Sequence, residues 1–130
     1  MNLSIIDKSY DIRGIYGVDL DEDLFYKLGF AFADLNKNLR NFVVGGDVRL
    51  STEVLKKSMI SGIIDAGKNV IDIDLCSTDM IYFASGKYDE IDIGLMITAS
   101  HNPTEYNGLK ACFKNAFPIN MKETGKEIKK

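Results

Sequence analysis

The stretch MITASHNPTEYNGLKACF, Met96–Phe113, holds the end of one apolar run, a polar segment, and a second apolar run, GLKACF. A crossover between parallel strands takes about a dozen residues or more, usually with a helix. The intervening TASHNPTEYN is barely that long and contains Asn102-Pro103, a turn signal. GLKACF is therefore expected to run antiparallel to the strand before it, at the edge of a sheet. Its start then returns to where that strand ended, which brings Lys110 near Ser100.

Upstream, the pattern alternates. After Leu20, Asp21, Glu22 and Asp23 place negative charge in a first helical turn, where the helix dipole favours it. Leu24, Phe25, Leu28, Ala31, Phe32 and Leu35 follow on one helical face. NFVVGGDVR reads as a strand ending in glycines. LSTEVLKKSMISGIIDAGKN reads as a helix with Ser51 as N-cap and Gly67 as stop. VIDIDLC is a second strand, STDMIYFASGKYD a short helix capped by Ser77 or Thr78, and IDIGLMI a third strand. Strands alternating with helices specify an α/β fold. The expectation is a three-layer α/β/α unit whose four-stranded mixed sheet has three parallel strands and one antiparallel edge strand. Ligands bind beyond the carboxyl ends of such parallel strands. The loops GGDVRLS, CSTDM and TASHNP should therefore share one edge.

The 130 residues fit one domain, 1–130, and 45% hydrophobic residues suffice for a core. A net charge of −3 argues against a general nucleic-acid binder. Cys76 and Cys112 match no metal-ligand spacing and read as reduced, buried thiols of a cytoplasmic protein. The opening MNLSIIDKSYDIRG does not resemble a signal peptide, and no apolar run is long enough to span a membrane. The tail NMKETGKEIKK starts like a helix, with Asn120 as cap and Glu123 near a capping box, and stops at Lys130 as if cut or frayed.

The single histidine, His101, adjoins Ser100. Neighbouring residues on extended backbone point to opposite sides, so His101 is badly placed to deprotonate Ser100. There is no second histidine and no G-x-S-x-G elbow, which argues against a hydrolytic triad. Two readings stay open from the residues alone. Ser100 carries a phosphate, held by loop N–H groups and by cations such as Lys110, Arg13 and Arg49; or SHNP is a polar turn between two strands.

TASHNP followed by YNGLK resembles the phosphoserine loop of the α-D-phosphohexomutases, the phosphoglucomutase/phosphomannomutase family. YDIRG at Tyr10–Gly14, VGGDVRLS at Val44–Ser51 and STDMIYFA at Ser77–Ala84 resemble further motifs of that family, in the same order. The resemblance covers the family's first domain, a layered α/β/α unit. The family's D-G-D-x-D-R metal loop of domain II has no counterpart here, nor have the loops of domains III and IV. Gly46 stands where many relatives carry a larger polar residue.

The resemblance implies a hexose 1-phosphate to 6-phosphate mutase working through a phosphoserine and a hexose 1,6-bisphosphate. By position, Ser100 is the phosphoryl carrier, Lys110 the general acid or base, and His101 and Asn102 line the site. Arg13 neutralises charge near the phosphoserine, and Tyr10 shapes that loop. Arg49 and Asp47 fix the loop after the first of the three parallel strands, pairing with each other. One Mg²⁺ is implied, bound to the phosphate on Ser100 and completed by domain II. The implied partners are a phosphorylated hexose and domains II–IV, without nucleic acid or membrane. The isolated domain is expected to be inactive and to form at most a weak homodimer. The alternative is a non-catalytic sugar-phosphate binding or regulatory module.

Overall fold

The order of elements in the computed structural model, which describes residues 11–114 and 117–118, is β1 (Asp11–Ile15), α1 (Glu22–Leu35), β2 (Asn41–Gly46), α2 (Thr52–Asp65), β3 (Asn69–Leu75), α3 (Thr78–Lys87), β4 (Ile93–Ile97), β5 (Tyr106–Phe113) and β6 (Phe117–Pro118). Local chemistry explains several boundaries. The Asp21 carboxylate accepts from the Leu24 N–H and caps α1. Ser77 does the same for α3 through the Met80 N–H. Gly67 ends α2 in the left-handed region, at φ +86°. Ser51 precedes α2 but gives no side-chain cap; its hydroxyl accepts instead from Asn107 of β5 at 2.8 Å.

The strands lie in the order β1-β5-β4-β2-β3, with β3, β2 and β4 parallel and β5 antiparallel to β4. The sheet thus has five strands in a row rather than the expected four, and two-residue β6 adds to β5 beyond β1. GLKACF is not an edge strand either, since β1 covers its outer side. The missed strand, DIRGI, is short and alternates charge with few apolar residues, so its own pattern is weak. Its place is set by the partner: Ile12 is fully buried opposite Leu109, and any side chain at Gly108 would strike the Ile12 carbonyl. The expected tail helix lies outside the described residues.

Alternating strand residues separate two cores. Phe42, Val44, Ile93, Leu95, Ile97, Leu109 and Ala111 face α1 and α2. Val43, Met96 and Cys112 face Ile81 and Ala84 of α3. The layers are therefore α/β/α. Burying a side chain such as Phe25, Phe32 or Phe42, each fully buried, contributes about 1.5–3 kcal/mol. Helices α1 and α2 touch through glycine: a Cβ at Gly29 would meet the Met59 carbonyl, and one at Gly62 the Tyr26 carbonyl.

Among the described residues, strand β3 forms one edge of the sheet and β1 the other. Val44 pairs with Asp72 and Gly46 with Leu75, so β3 holds one residue more than β2 there, and Asp74 takes φ +57°. The Asp74 N–H bonds to the Asp72 carboxylate at 2.8 Å. From α2 the buried Lys56 reaches Glu53 and Asp72 at 3.2 Å and Asp74 at 3.5 Å. Burial works to lower the Lys56 pKa, but its hydrogen bonds to Asp72 and Glu53 outweigh this and raise it.

Candidate active site

The three parallel strands end together, and their following loops line one cleft of about 780 Å³. Its walls come from Asp47–Leu50 after β2, Cys76–Thr78 after β3, and Thr98, Ser100 and Asn102 after β4. The three loops share one edge, as the topology requires. Backbone bonds lock them: Asp47 N–H to Ile97, Cys76 N–H to Gly46, and Thr98 N–H to Gly108.

Ser100 is held in the left-handed region, φ +52°, a conformation costing a non-glycine residue about 1–2 kcal/mol. Its N–H donates to Thr98 Oγ1 at 2.9 Å, and that hydroxyl donates to Asp47 Oδ2 at 2.6 Å. Arg13 crosses from β1, donating through Nη1 to Asn102 Oδ1 at 2.6 Å and through Nη2 to Ser100 Oγ at 3.4 Å. A guanidinium beside a serine hydroxyl suits an anion on that oxygen.

Lys110 is half-buried in β5, opposite Met96 of β4 and Asp11 of β1. Arg13 lies opposite Gly108, so Arg13 and Lys110 are diagonal neighbours on the α3 face. Lys110 does not line the cleft, though Met96 beside it does. Its side chain forms no ion pair or hydrogen bond with another described residue. His101 is exposed and likewise untied. Tyr10 lies outside the described residues. Cys76 also lines the cleft, but burial pushes its thiol pKa up, partly offset by a hydrogen bond from the Gly46 backbone. A thiol raised in this way is a poor nucleophile.

Asp47 and Arg49 pair, as expected, with Nε 3.2 Å from Oδ2. Arg49 also reaches beyond its own loop. Nη1 donates to the Pro103 and Tyr106 carbonyls at 2.6 and 3.0 Å, and Nη2 to those of Ser100 and Asn102 at 2.9 and 2.7 Å. Asp47 Oδ1 takes the Thr52 hydroxyl and the Arg49 N–H. Sequence reasoning passed over Thr98 and Asn107. Both lie within the quoted TASHNP and YNGLK motifs, but nothing local says what their side chains bind. Asn107 is fully buried, donating to Ser51 and Thr52 and accepting from the Gly108 N–H.

A serine on the loop after the third parallel strand, flanked by Arg13 and Asn102, thus lines the cleft. Residues 4–130 match the model described as phosphoglucomutase/phosphomannomutase, alpha/beta/alpha domain I. The chain belongs to that family. It is 48% identical over 112 residues to an Escherichia coli phosphomannomutase, covering 86% of this chain and 24% of that protein. Identity to a Methanocaldococcus jannaschii phosphomannomutase is 41% over 125 residues, covering 95% and 27%. A crystal structure of a Burkholderia thailandensis phosphoglucomutase/phosphomannomutase family protein superposes with a TM-score of 0.87 at 30% identity, covering 99% of this chain and 30% of that one. The chain therefore spans about a quarter of the length of these curated relatives. No helix among the described residues is long and apolar enough to cross a membrane.

The Mg²⁺ that the family implies does not fit the described residues alone. They contain no group of three His, Cys, Asp or Glu side chains able to hold a metal ion. Asp47, the carboxylate in the cleft wall nearest Ser100 in the hydrogen-bond network, already serves Arg49, Thr52 and Thr98.

Proposed function

We propose that this chain acts as the first, phosphoserine-bearing domain of a phosphohexomutase that interconverts hexose 1-phosphates and 6-phosphates. The observation that carries the proposal is the convergence of Arg13 and Asn102 on Ser100, at the carboxyl ends of the parallel strands. In this reading, a hexose phosphate hydroxyl attacks the phosphorus carried by Ser100. The new P–O bond forms as the P–Oγ bond breaks, giving a hexose 1,6-bisphosphate. The hydroxyl proton passes to Lys110, and Arg13 stabilises the charge developing at Ser100 Oγ. The reverse transfer, from the other phosphate, restores the phosphoserine. His101 and Asn102 orient the transferring group, which is where most of phosphoryl-transfer catalysis lies.

The sugar, its second phosphate and any Mg²⁺ then depend on residues from further domains, so the isolated chain is expected to show no turnover. The test is to replace Ser100 by Ala in the full-length protein and follow hexose phosphate isomerisation. Loss of nearly all turnover, with loss of phosphate incorporation at this position by mass spectrometry, supports the reading. Near-normal turnover rejects it and leaves a sugar-phosphate binding module.

A further inference from the structure

All five N–H donors of the Arg49 guanidinium are engaged: four by the carbonyls of Ser100, Asn102, Pro103 and Tyr106, the fifth by Asp47. Arg49 therefore has no donor left for a phosphate unless it releases the loop. Its charge faces backbone, although it lines the cleft. Peptide units are planar, and none here is cis. Drawing the Ser100 and Pro103 carbonyls towards Arg49 thus turns the N–H groups of His101 and Thr104 the opposite way. Neither N–H has a partner among the described residues. The left-handed Ser100 sits between two restraints, its N–H on Thr98 and its carbonyl on Arg49, and both lead to Asp47.

We infer that Arg49 is a positioning residue for Ser100: it fixes the serine oxygen by gripping the backbone of the next loop and never touches the transferring group. This rests on the proposed phosphoryl-carrier role. A lysine would keep the charge but not the planar fork that serves four carbonyls at once. The defect should therefore lie in chemistry rather than in binding.

The experiment compares Arg49→Lys and Arg49→Ala with wild type by two readouts. The first is amide hydrogen exchange on this chain, where Arg49→Lys should speed exchange within residues 99–106 and leave the sheet unchanged. The second is mutase kinetics of the full-length protein, where kcat should fall about 10²-fold, the order expected for a misplacement of about 1 Å, with KM unchanged. Methylguanidinium should restore part of the Arg49→Ala rate. Wild-type exchange and kcat in Arg49→Lys would overturn the inference. So would a raised KM with kcat intact, which would make Arg49 a substrate ligand. Uniformly faster exchange would show a structural role only. If Arg49→Ala fails to fold, Arg49→Lys alone decides between these outcomes. If wild type proves to have no mutase activity, the proposed function fails, and the exchange pattern still decides whether Arg49 holds the loop.

Discussion

Arg13 donates to Asn102 at 2.6 Å across 89 residues of sequence, tying β1 to the loop that presents Ser100. Under the proposed function, this bond aims the guanidinium at the serine oxygen. Arg13→Ala should lower kcat by about 10²-fold, as removal of one charge-stabilising donor does. Asn102→Ala, which keeps the charge but frees its direction, should cost less. Steady-state kinetics on both variants check this order, and equal losses would show that Asn102 does more than aim Arg13.

Asn107 joins β5 to the first turn of α2. Replacing it by Ala removes three hydrogen bonds from a fully buried site and leaves the Gly108 N–H without its acceptor. Such an orphaned group costs about 1–3 kcal/mol. Urea unfolding of the isolated chain should show a loss of that order, and a shift below about 0.5 kcal/mol would mean that the site repacks without penalty.

Gly29 and Gly62 let α1 and α2 approach until backbone meets side-chain space. Alanine at either position gains about 1 kcal/mol in helix propensity. The added Cβ, however, would strike the Met59 or the Tyr26 carbonyl, and neither can swing aside as a side chain could. Overpacking of this kind costs about 1–3 kcal/mol, so both variants should melt lower than wild type. Thermal unfolding measures the sign directly, and a raised Tm in either would show that the helices can separate cheaply.

Lys56 gives a pH signature. Its folded pKa lies above the ordinary 10.5, so its charged form is favoured by folding. That contribution is complete below 10.5 and disappears as pH rises through the folded value. Tyr16 and Tyr26 are also raised, by hydrogen bonds to Glu22 and Asp65, and weaken the fold in the same alkaline direction. The difference between wild type and Lys56→Met isolates the lysine. It should shift against wild type between pH 9 and pH 12 (about 1.4 kcal/mol per unit of displaced pKa), whereas a constant difference would show that the carboxylates give Lys56 no net support.

The parallel half of the fold was legible because each element carries its own signal. Acidic residues precede α1, Gly67 stops α2, and the apolar runs of β2 and β4 are buried throughout. The short link after Ile97 correctly predicted an antiparallel β5. β1 was lost because Asp11–Ile15 has little apolar pattern and depends on Gly108, almost a hundred positions away in sequence, for its close approach. The site behaved similarly. Ser100, Asn102 and Arg13 stand in motifs and were named, and the structure brings them together. The reach of Arg49 across to four carbonyls was not legible, since a guanidinium's targets are backbone atoms that carry no residue identity.

The kink at Asp74 bears on how the molecule behaves in a crowd. An outermost strand with open N–H and C=O groups is a template on which another strand can assemble. Here a left-handed residue interrupts that template, and Asp72 and Asp74 set negative charge along it, partly neutralised from within by Lys56. An incoming segment would find the hydrogen-bonding rhythm broken near the carboxyl end of the strand and would have to desolvate carboxylates to continue. Exposed Ile71 and Leu75 flank these two aspartates. The charge and the kink between them thus act as gatekeepers against fibre-like growth from this side of the sheet.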